Sequence, residues 1–190
     1  CELTLSLPSV GATENAMLAA CGCEGTTVIL NAAREPEIAD LQAFLRSMGC
    51  KVQGAGSSTV AVEGRQRTHD VVHTVMPDRI VAATYLSAAA AAGGEIELRG
   101  VDYRHLSTVT AALHEAGCRI HSGGDAIRLR SDGRLKAIRP VRTAPYPGFP
   151  TDAQAVLMAA LLRSRGTTVF VENIFENRYR HVDELCRLGA

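Results

Sequence analysis

Apolar positions fall into two helical patterns that alternate along the chain. In one, nearly every position is apolar, at residues 16–21, 80–92 and 153–162. Such runs predict helices covered on every side. In the other, apolar residues keep to one helical stripe: Ile38, Leu41, Leu45 and Met48, then Leu106, Val109 and Leu113, then Val182, Leu185 and Leu188. These predict helices with one buried face. Short β-rich runs at residues 26–30, 95–99 and 167–171 stand between the two kinds. Two hairpins follow the one-sided helices. Residues 51–53 pair with 59–62 around Gly54-Ala55-Gly56, and residues 119–121 with 126–129 around Gly123-Gly124-Asp125.

The order is therefore strand, buried helix, strand, amphipathic helix, hairpin, and it repeats. Pro8, Pro77 and Pro150 each open an apolar helix and lie 69 and 73 residues apart. Ser9, Asp78 and Thr151 come next, each able to bond the free amides of a first turn. Gly25, Gly94 and Gly166 precede the strand-like runs. Gly49, Gly117 and Gly189 follow the one-sided helices, where a left-handed C′ residue is needed. Pro36 suits a first helical turn. Landmarks of three kinds share one period, which predicts copies of one unit. About two and a half copies are present, the last without its hairpin. Alternating strands and helices give an α/β class. The all-round apolar helices place helices at the centre and sheets outside.

Composition narrows the function only a little. Lys and Arg total 20, as do Asp and Glu, so net charge points to neither nucleic acid nor membrane partners. The longest apolar run is too short to span a bilayer. The six cysteines and six histidines form no metal-binding spacing, and no metal or cofactor is assigned. Small thiols of this kind fit a reducing, cytoplasmic setting. His69 and His73 lie in a strand-like run, on one face. The chain starts at Cys1 inside a strand-like pattern and stops just after a helix, as expected of a piece of a longer polypeptide.

Four segments carry a family resemblance: Pro8-Ser9-Val10-Gly11-Ala12-Thr13-Glu14-Asn15, Asn31-Ala32-Ala33-Arg34-Glu35-Pro36-Glu37-Ile38, Pro147-Gly148-Phe149-Pro150-Thr151-Asp152 and Glu172-Asn173-Ile174-Phe175-Glu176-Asn177-Arg178. Together they resemble the UDP-N-acetylglucosamine 1-carboxyvinyltransferases, enolpyruvyl transferases similar in architecture to 5-enolpyruvylshikimate-3-phosphate synthase. The likeness runs over essentially the whole chain. It implies an inside-out fold of βαβαββ units in two lobes. Residues 1–75 would be the last unit of one lobe, and residues 76–190 the first two units of the other. It also implies the reaction: enolpyruvyl passes from phosphoenolpyruvate to the sugar 3-hydroxyl of UDP-N-acetylglucosamine, with release of phosphate, at the start of peptidoglycan synthesis. The partners implied are those two small molecules and the remainder of the polypeptide.

The resemblance also assigns residues. By sequence alone Ser9-Val10-Gly11 is a helix cap. The resemblance implies that these residues hold the UDP diphosphate, with Leu7 and Pro8 alongside. Asp152 by itself is an acid favoured in a first helical turn. The resemblance implies that it lies at the sugar hydroxyl and takes its proton. Ile174 matches a position whose backbone meets the sugar nucleotide. Arg178 reads as a partner for Asp152 or an anionic substrate, or as a surface partner of Glu176 or Glu172. Asn31, Arg34 and Glu35 read as a structural turn, and Asp78-Arg79 as the hinge between lobes.

Two positions depart from the family pattern. Val81 replaces a usual acid, which argues against a hinge salt bridge there, and Arg180 replaces a usual apolar residue. Other readings are a shikimate-type transferase of the same fold and a non-catalytic nucleotide-sugar-binding paralogue. The family's N-terminal Lys-Asn pair, its reactive-cysteine loop and its phosphoenolpyruvate-binding arginines have no counterpart in these residues. The 190-residue chain alone is therefore expected to be inert. Incubation with phosphoenolpyruvate and the UDP-sugar should give no sustained release of phosphate; steady release would overturn that expectation.

Overall fold

Ser9 receives the amide of Ala12 on its hydroxyl at 3.3 Å and starts the first helix, α1, Val10–Gly22. The structure is a computed structural model describing residues 1–190, which divide into two compact units, Cys1–Met76 and Pro77–Ala190.

The first unit runs β1 (Glu2–Thr4), α1, β2 (Thr26–Leu30), α2 (Pro36–Ser47), β3 (Lys51–Gln53) and β4 (Thr59–Glu63). Its sheet has the order β1-β2-β4-β3, with β1 parallel to β2 and the other pairs antiparallel. The hairpin of β3 and β4 is the one the sequence predicts. Alternation along β4 turns Val60 and Val62 inward, where they join Met17, Ile29, Ile38 and Val52 in one core. Each such side chain contributes about 1.5–3 kcal/mol when fully buried.

The expectation that α1 is covered on every side is not met within this unit. Thr13, Met17 and Ala20 are buried, but Leu18 is 50% exposed. The sheet lies on one side and α2 beside it, so one face stays open. Residues 65–78 form no strand, which corrects the strand-like reading of His69 and His73. The segment is held instead by single contacts. The His69 amide donates to Met48 O, and the His73 ring meets Asp40 at 3.2 Å and Phe44 at 5.4 Å.

The second unit opens with α3 (Arg79–Ala92), β5 (Gly94–Arg99), a single 3₁₀ turn (Tyr103–Leu106), α4 (Ser107–Glu115), β6 (Arg119–Gly123) and β7 (Ala126–Ser131). The sheet order is β5-β7-β6, antiparallel throughout. Its inner face carries Ile127 and Leu129, and its outer face Glu95, Glu97, Arg128 and Arg130. Then come β8 (Val141–Arg142), α5 (Thr151–Leu161), β9 (Phe170–Val171) and α6 (Arg180–Arg187). Here the buried-helix expectation is met on more sides of the helix but not on all, since Val81 and Tyr85 stay exposed. Helix α3 packs on β5 and β7 and also against α5, and its Ala82, Ala83, Leu86, Ser87 and Ala90 are buried. Small side chains allow that close approach.

The third strand is shorter than the run 167–171 suggests. Only Phe170–Val171 pairs with β8, in parallel. Val141 and Thr143 donate to Val169 O and Val171 O, but the next amide in that register, Arg139, goes to Glu115 Oε1 at 2.7 Å, and Ile138 donates to the Thr168 hydroxyl at 3.0 Å, so the ladder is interrupted. The stripe Val182, Leu185 and Leu188 forms along α6 but is not buried. All three one-sided helices end on a left-handed glycine, with φ of 101° at Gly49, 112° at Gly117 and 96° at Gly189. No helix is long and apolar enough to cross a membrane.

Gly64 tests the packing of the first unit. A Cβ there would lie 2.0 Å from Cys23 O and 2.4 Å from Ala20 O, both backbone atoms at the end of α1. Gly64→Ala is expected to cost about 1–3 kcal/mol, as for other overpacked sites, and to lower the thermal midpoint clearly. Gly22→Ala, with open space around it, should not. Equal midpoints in differential scanning calorimetry would refute this reading.

Candidate functional site

The three repeated helix starts share a shape and differ in what meets their first amides. At α1 the Ser9 hydroxyl takes one amide, and helical geometry leaves those of Val10 and Gly11 without a helical acceptor. At α3 the Asp78 carboxylate accepts from both Ile80 (2.8 Å) and Val81 (3.0 Å). That start carries its own anion. At α5 the N-cap is Pro150, which offers no side-chain acceptor, and Asp152 lies in the first turn.

The α1 start is anchored from below. The Thr13 hydroxyl donates to Ser9 O at 2.8 Å and accepts from the Ala33 amide at 2.9 Å. Asn31, with φ of 56°, donates its side-chain amide to Leu5 O at 2.9 Å. The turn 31–35 thus grips the segment leading into Pro8 and Ser9. The Ser9 amide donates to Leu7 O at 2.8 Å, while the Leu7 side chain is 69% exposed. Leu7, Pro8, Ser9, Val10 and Gly11 are therefore brought together on one outward-facing turn.

The other named residues gather in the second unit. Asp152 forms an ion pair with Arg178 through Oδ1 and Nη2. Arg178 also lies over the Phe175 ring, 5.2 Å from its centroid. Both charged side chains stay open to solvent, Asp152 by 55% and Arg178 by 38%. Of the partners considered for Arg178, the structure chooses Asp152. The preceding loop is tight: Gly148 has no room for a Cβ, which would meet the Ala144 Cβ at 2.5 Å and Pro145 O at 2.9 Å. Phe149 is buried, and its carbonyl accepts from the Ala144 amide at 3.1 Å.

Glu172 is the residue that sequence reasoning passed over, considering it only as an optional partner of Arg178. Its Oε1 accepts from the Thr143 hydroxyl at 2.9 Å, the Ile174 amide at 2.9 Å and the Phe175 amide at 3.2 Å. Its Oε2 accepts from the Thr151 hydroxyl at 2.9 Å. Ile174 thus has its N–H already engaged. Burial pushes the Glu172 pKa up, but the Ile174 amide, the two hydroxyls and the Phe175 amide together outweigh it, and the net shift is downward. The sequence signal was faint: a glutamate ending a β-run, followed by a turn with free amides.

Residues 1–190 match the family described as EPSP synthase (3-phosphoshikimate 1-carboxyvinyltransferase) along their whole length. The chain belongs to the EPSP synthase family. This member is 53% identical over 189 residues to UDP-N-acetylglucosamine 1-carboxyvinyltransferase 1 of Symbiobacterium thermophilum, covering 100% of the chain and 43% of that relative. It is 49% identical to UDP-N-acetylglucosamine 1-carboxyvinyltransferase 2 of Caldanaerobacter subterraneus subsp. tengcongensis, covering 100% of the chain and 45% of that relative. The chain thus spans less than half the length of these relatives.

Among solved structures, the enolpyruvyl transferase NikO from Streptomyces tendae superposes with a TM-score of 0.85 at 24% identity, over 100% of this chain and 48% of that one. EPSP synthase from Acinetobacter baumannii gives 0.67 at 20% identity, over 100% and 45%. At that level of identity the two show the fold. This EPSP synthase family member has the repeated, inside-out α/β architecture of the enolpyruvyl transferases.

A depressed carboxylate stabilises the fold above its unfolded pKa, and that contribution is lost as pH falls through the folded value. Glu172→Gln is therefore expected to be less stable than the wild type at neutral pH, with the gap closing as pH drops below about 4.5, the ordinary value. Chemical denaturation at pH 7, 5 and 3 would show it. A gap that stays constant across this range would contradict it.

Proposed function

We propose that this family member is part of an enzyme that transfers enolpyruvyl from phosphoenolpyruvate to the 3-hydroxyl of UDP-N-acetylglucosamine, opening peptidoglycan synthesis. The observation that carries the reading is Asp152, held beside Arg178 at the start of α5, in a chain about half identical to relatives named for that reaction. The sugar hydroxyl would give its proton to Asp152 as its oxygen bonds to the enol carbon of phosphoenolpyruvate. The bond from that carbon to the phosphate oxygen breaks, and phosphate leaves with the electron pair. Arg178 pairs with the carboxylate, and its charge favours an anionic substrate nearby. Ile174, its N–H taken by Glu172, would offer its backbone carbonyl to the sugar nucleotide.

In the first unit, Ser9, Val10 and Gly11 would receive the diphosphate. The supporting features are the two first-turn amides without a helical acceptor and the positive end of the helix dipole. Leu7 and Pro8 would flank the nucleotide. Residues 1–75 would close one lobe and residues 76–190 begin the other, with Asp78-Arg79 at the hinge. The partners are the two small substrates and the rest of the polypeptide, and the setting is the cytoplasm.

A second reading, transfer to shikimate 3-phosphate, has one observation in its favour: the family match itself is named for that enzyme. Asp152→Asn in the complete gene product distinguishes the cases. Turnover with the UDP-sugar is expected to fall by about 10²–10⁴-fold, the usual contribution of a placed base, with UDP-sugar affinity within a few-fold of wild type. A near-normal kcat would sink the role of Asp152. Turnover with shikimate 3-phosphate but not the UDP-sugar would favour the second reading.

A further inference from the structure

We infer that Glu172 is the positioning residue that sets the Asp152–Arg178 pair at the start of α5. The inference rests on the reading of Asp152 as the base for the sugar hydroxyl. Glu172 itself is unsuited to that task. Its Oε1 already accepts from Thr143 and the amides of Ile174 and Phe175, and its Oε2 accepts from Thr151, so the carboxylate is committed to joining these segments and its charge is stabilised where it stands. Its role is therefore geometric.

The contacts close a ring. Glu172 bonds Thr151, and Thr151 precedes Asp152 in the chain. Asp152 pairs with Arg178, whose guanidinium lies over the Phe175 ring. The Phe175 amide returns to Glu172. Both ends of the Asp152–Arg178 pair are thus tied to one carboxylate. The N-terminus of α5 is fixed through Thr151, and the turn bearing Arg178 through Phe175 and Ile174. A second tie holds the loop to the end of β8: the Asn173 amide donates to the Thr143 hydroxyl at 2.8 Å. Breaking the ring at Glu172 would free both partners at once. A displacement of about 1 Å in such an arrangement can cost about 10²-fold in rate.

The amide of Glu172→Gln keeps the size but removes the charge from all four bonds, and the contact to Thr151 then requires that hydroxyl to turn round and accept. Thr151→Val removes one donor with little change of shape, and Thr151→Ser restores the hydroxyl. In the complete gene product, Glu172→Gln and Thr151→Val should each lower kcat by about ten- to hundredfold, with UDP-sugar affinity nearly unchanged. Thr151→Ser should match the wild type, and the double variant Glu172→Gln with Thr151→Val should be no slower than the slower single variant. In the same proteins, NMR should show slow solvent exchange of the Arg178 guanidinium protons in wild type and Thr151→Ser, and faster exchange in Glu172→Gln and Thr151→Val.

If kcat per folded molecule is unchanged in Thr151→Val, or if the two losses multiply in the double variant, the inference is overturned. Unchanged Arg178 exchange in both variants overturns it as well. If Glu172→Gln does not fold, Thr151→Val and Thr151→Ser decide alone. If the wild type turns over no UDP-sugar, the proposed function fails, and the exchange measurement still decides whether Glu172 holds the pair.

Discussion

A helix begins with amides that have no helical acceptor and with the positive end of its dipole, and it must be met there by lone pairs or negative charge. The rest of this structure follows from how that demand is met three times. At α1 a hydroxyl does part of the work and leaves the turn facing outward. At α3 a carboxylate from the same turn meets two of the amides and brings its own charge. At α5 the cap is a proline, and the charge comes from Asp152 inside the first turn, itself paired with Arg178. One local shape thus gives an open turn, a turn capped by its own carboxylate and a presented carboxylate, through side-chain differences at two or three positions.

The presented carboxylate would be of little use if it wandered. An ion pair as open to water as Asp152–Arg178 contributes little to stability and holds its geometry weakly. The Glu172 network is of another kind. Its donors are short side chains and backbone amides, which have little conformational freedom to lose. A lowered pKa despite burial is the electrostatic mark of such a cage. The exposed pair borrows its order from the more rigid carboxylate behind it. Precision and solvent access, which usually oppose one another, are here assigned to two different acids.

What the sequence made legible were features written in spacing. Proline, strand and glycine landmarks at one period revealed the repeat, and the left-handed φ at Gly49, Gly117 and Gly189 follows from the same pattern. The hairpins were legible because alternation and glycine turns are local. The segment 65–78 was misread because a β-like composition does not supply a neighbouring strand to pair with. The third strand was read too long because Arg139, on the partner segment, gives its amide to Glu115 and so ends the ladder from outside. Of the candidate site, the Asp152–Arg178 pairing was one of several open choices, because 26 residues separate the two and only the fold joins them. Glu172 was hidden for a related reason. Two of its partners are the amides two and three residues on, but the other two, Thr143 and Thr151, lie 29 and 21 residues back and only the fold brings them in.

The all-round apolar helices carry a further physical point. A helix that is apolar on every side gains stability only from as many neighbours as it has faces. Helix α3 has a sheet on one side and α5 on another, and its Ala82, Ala83 and Ala90 are buried there, while Val81 and Tyr85 stay exposed. Helix α1 has the same kind of sequence but only a sheet and one neighbouring helix, and Leu18 stays half exposed. The repeated unit therefore encodes more apolar surface than one copy can bury. Its inner helix is completed by other helices rather than by its own sheet, as the pairing of α3 with α5 shows. That requirement puts helices, rather than a sheet, at the centre. It also leaves the helix starts, where the acids and free amides reside, as the polar ends of an otherwise apolar core.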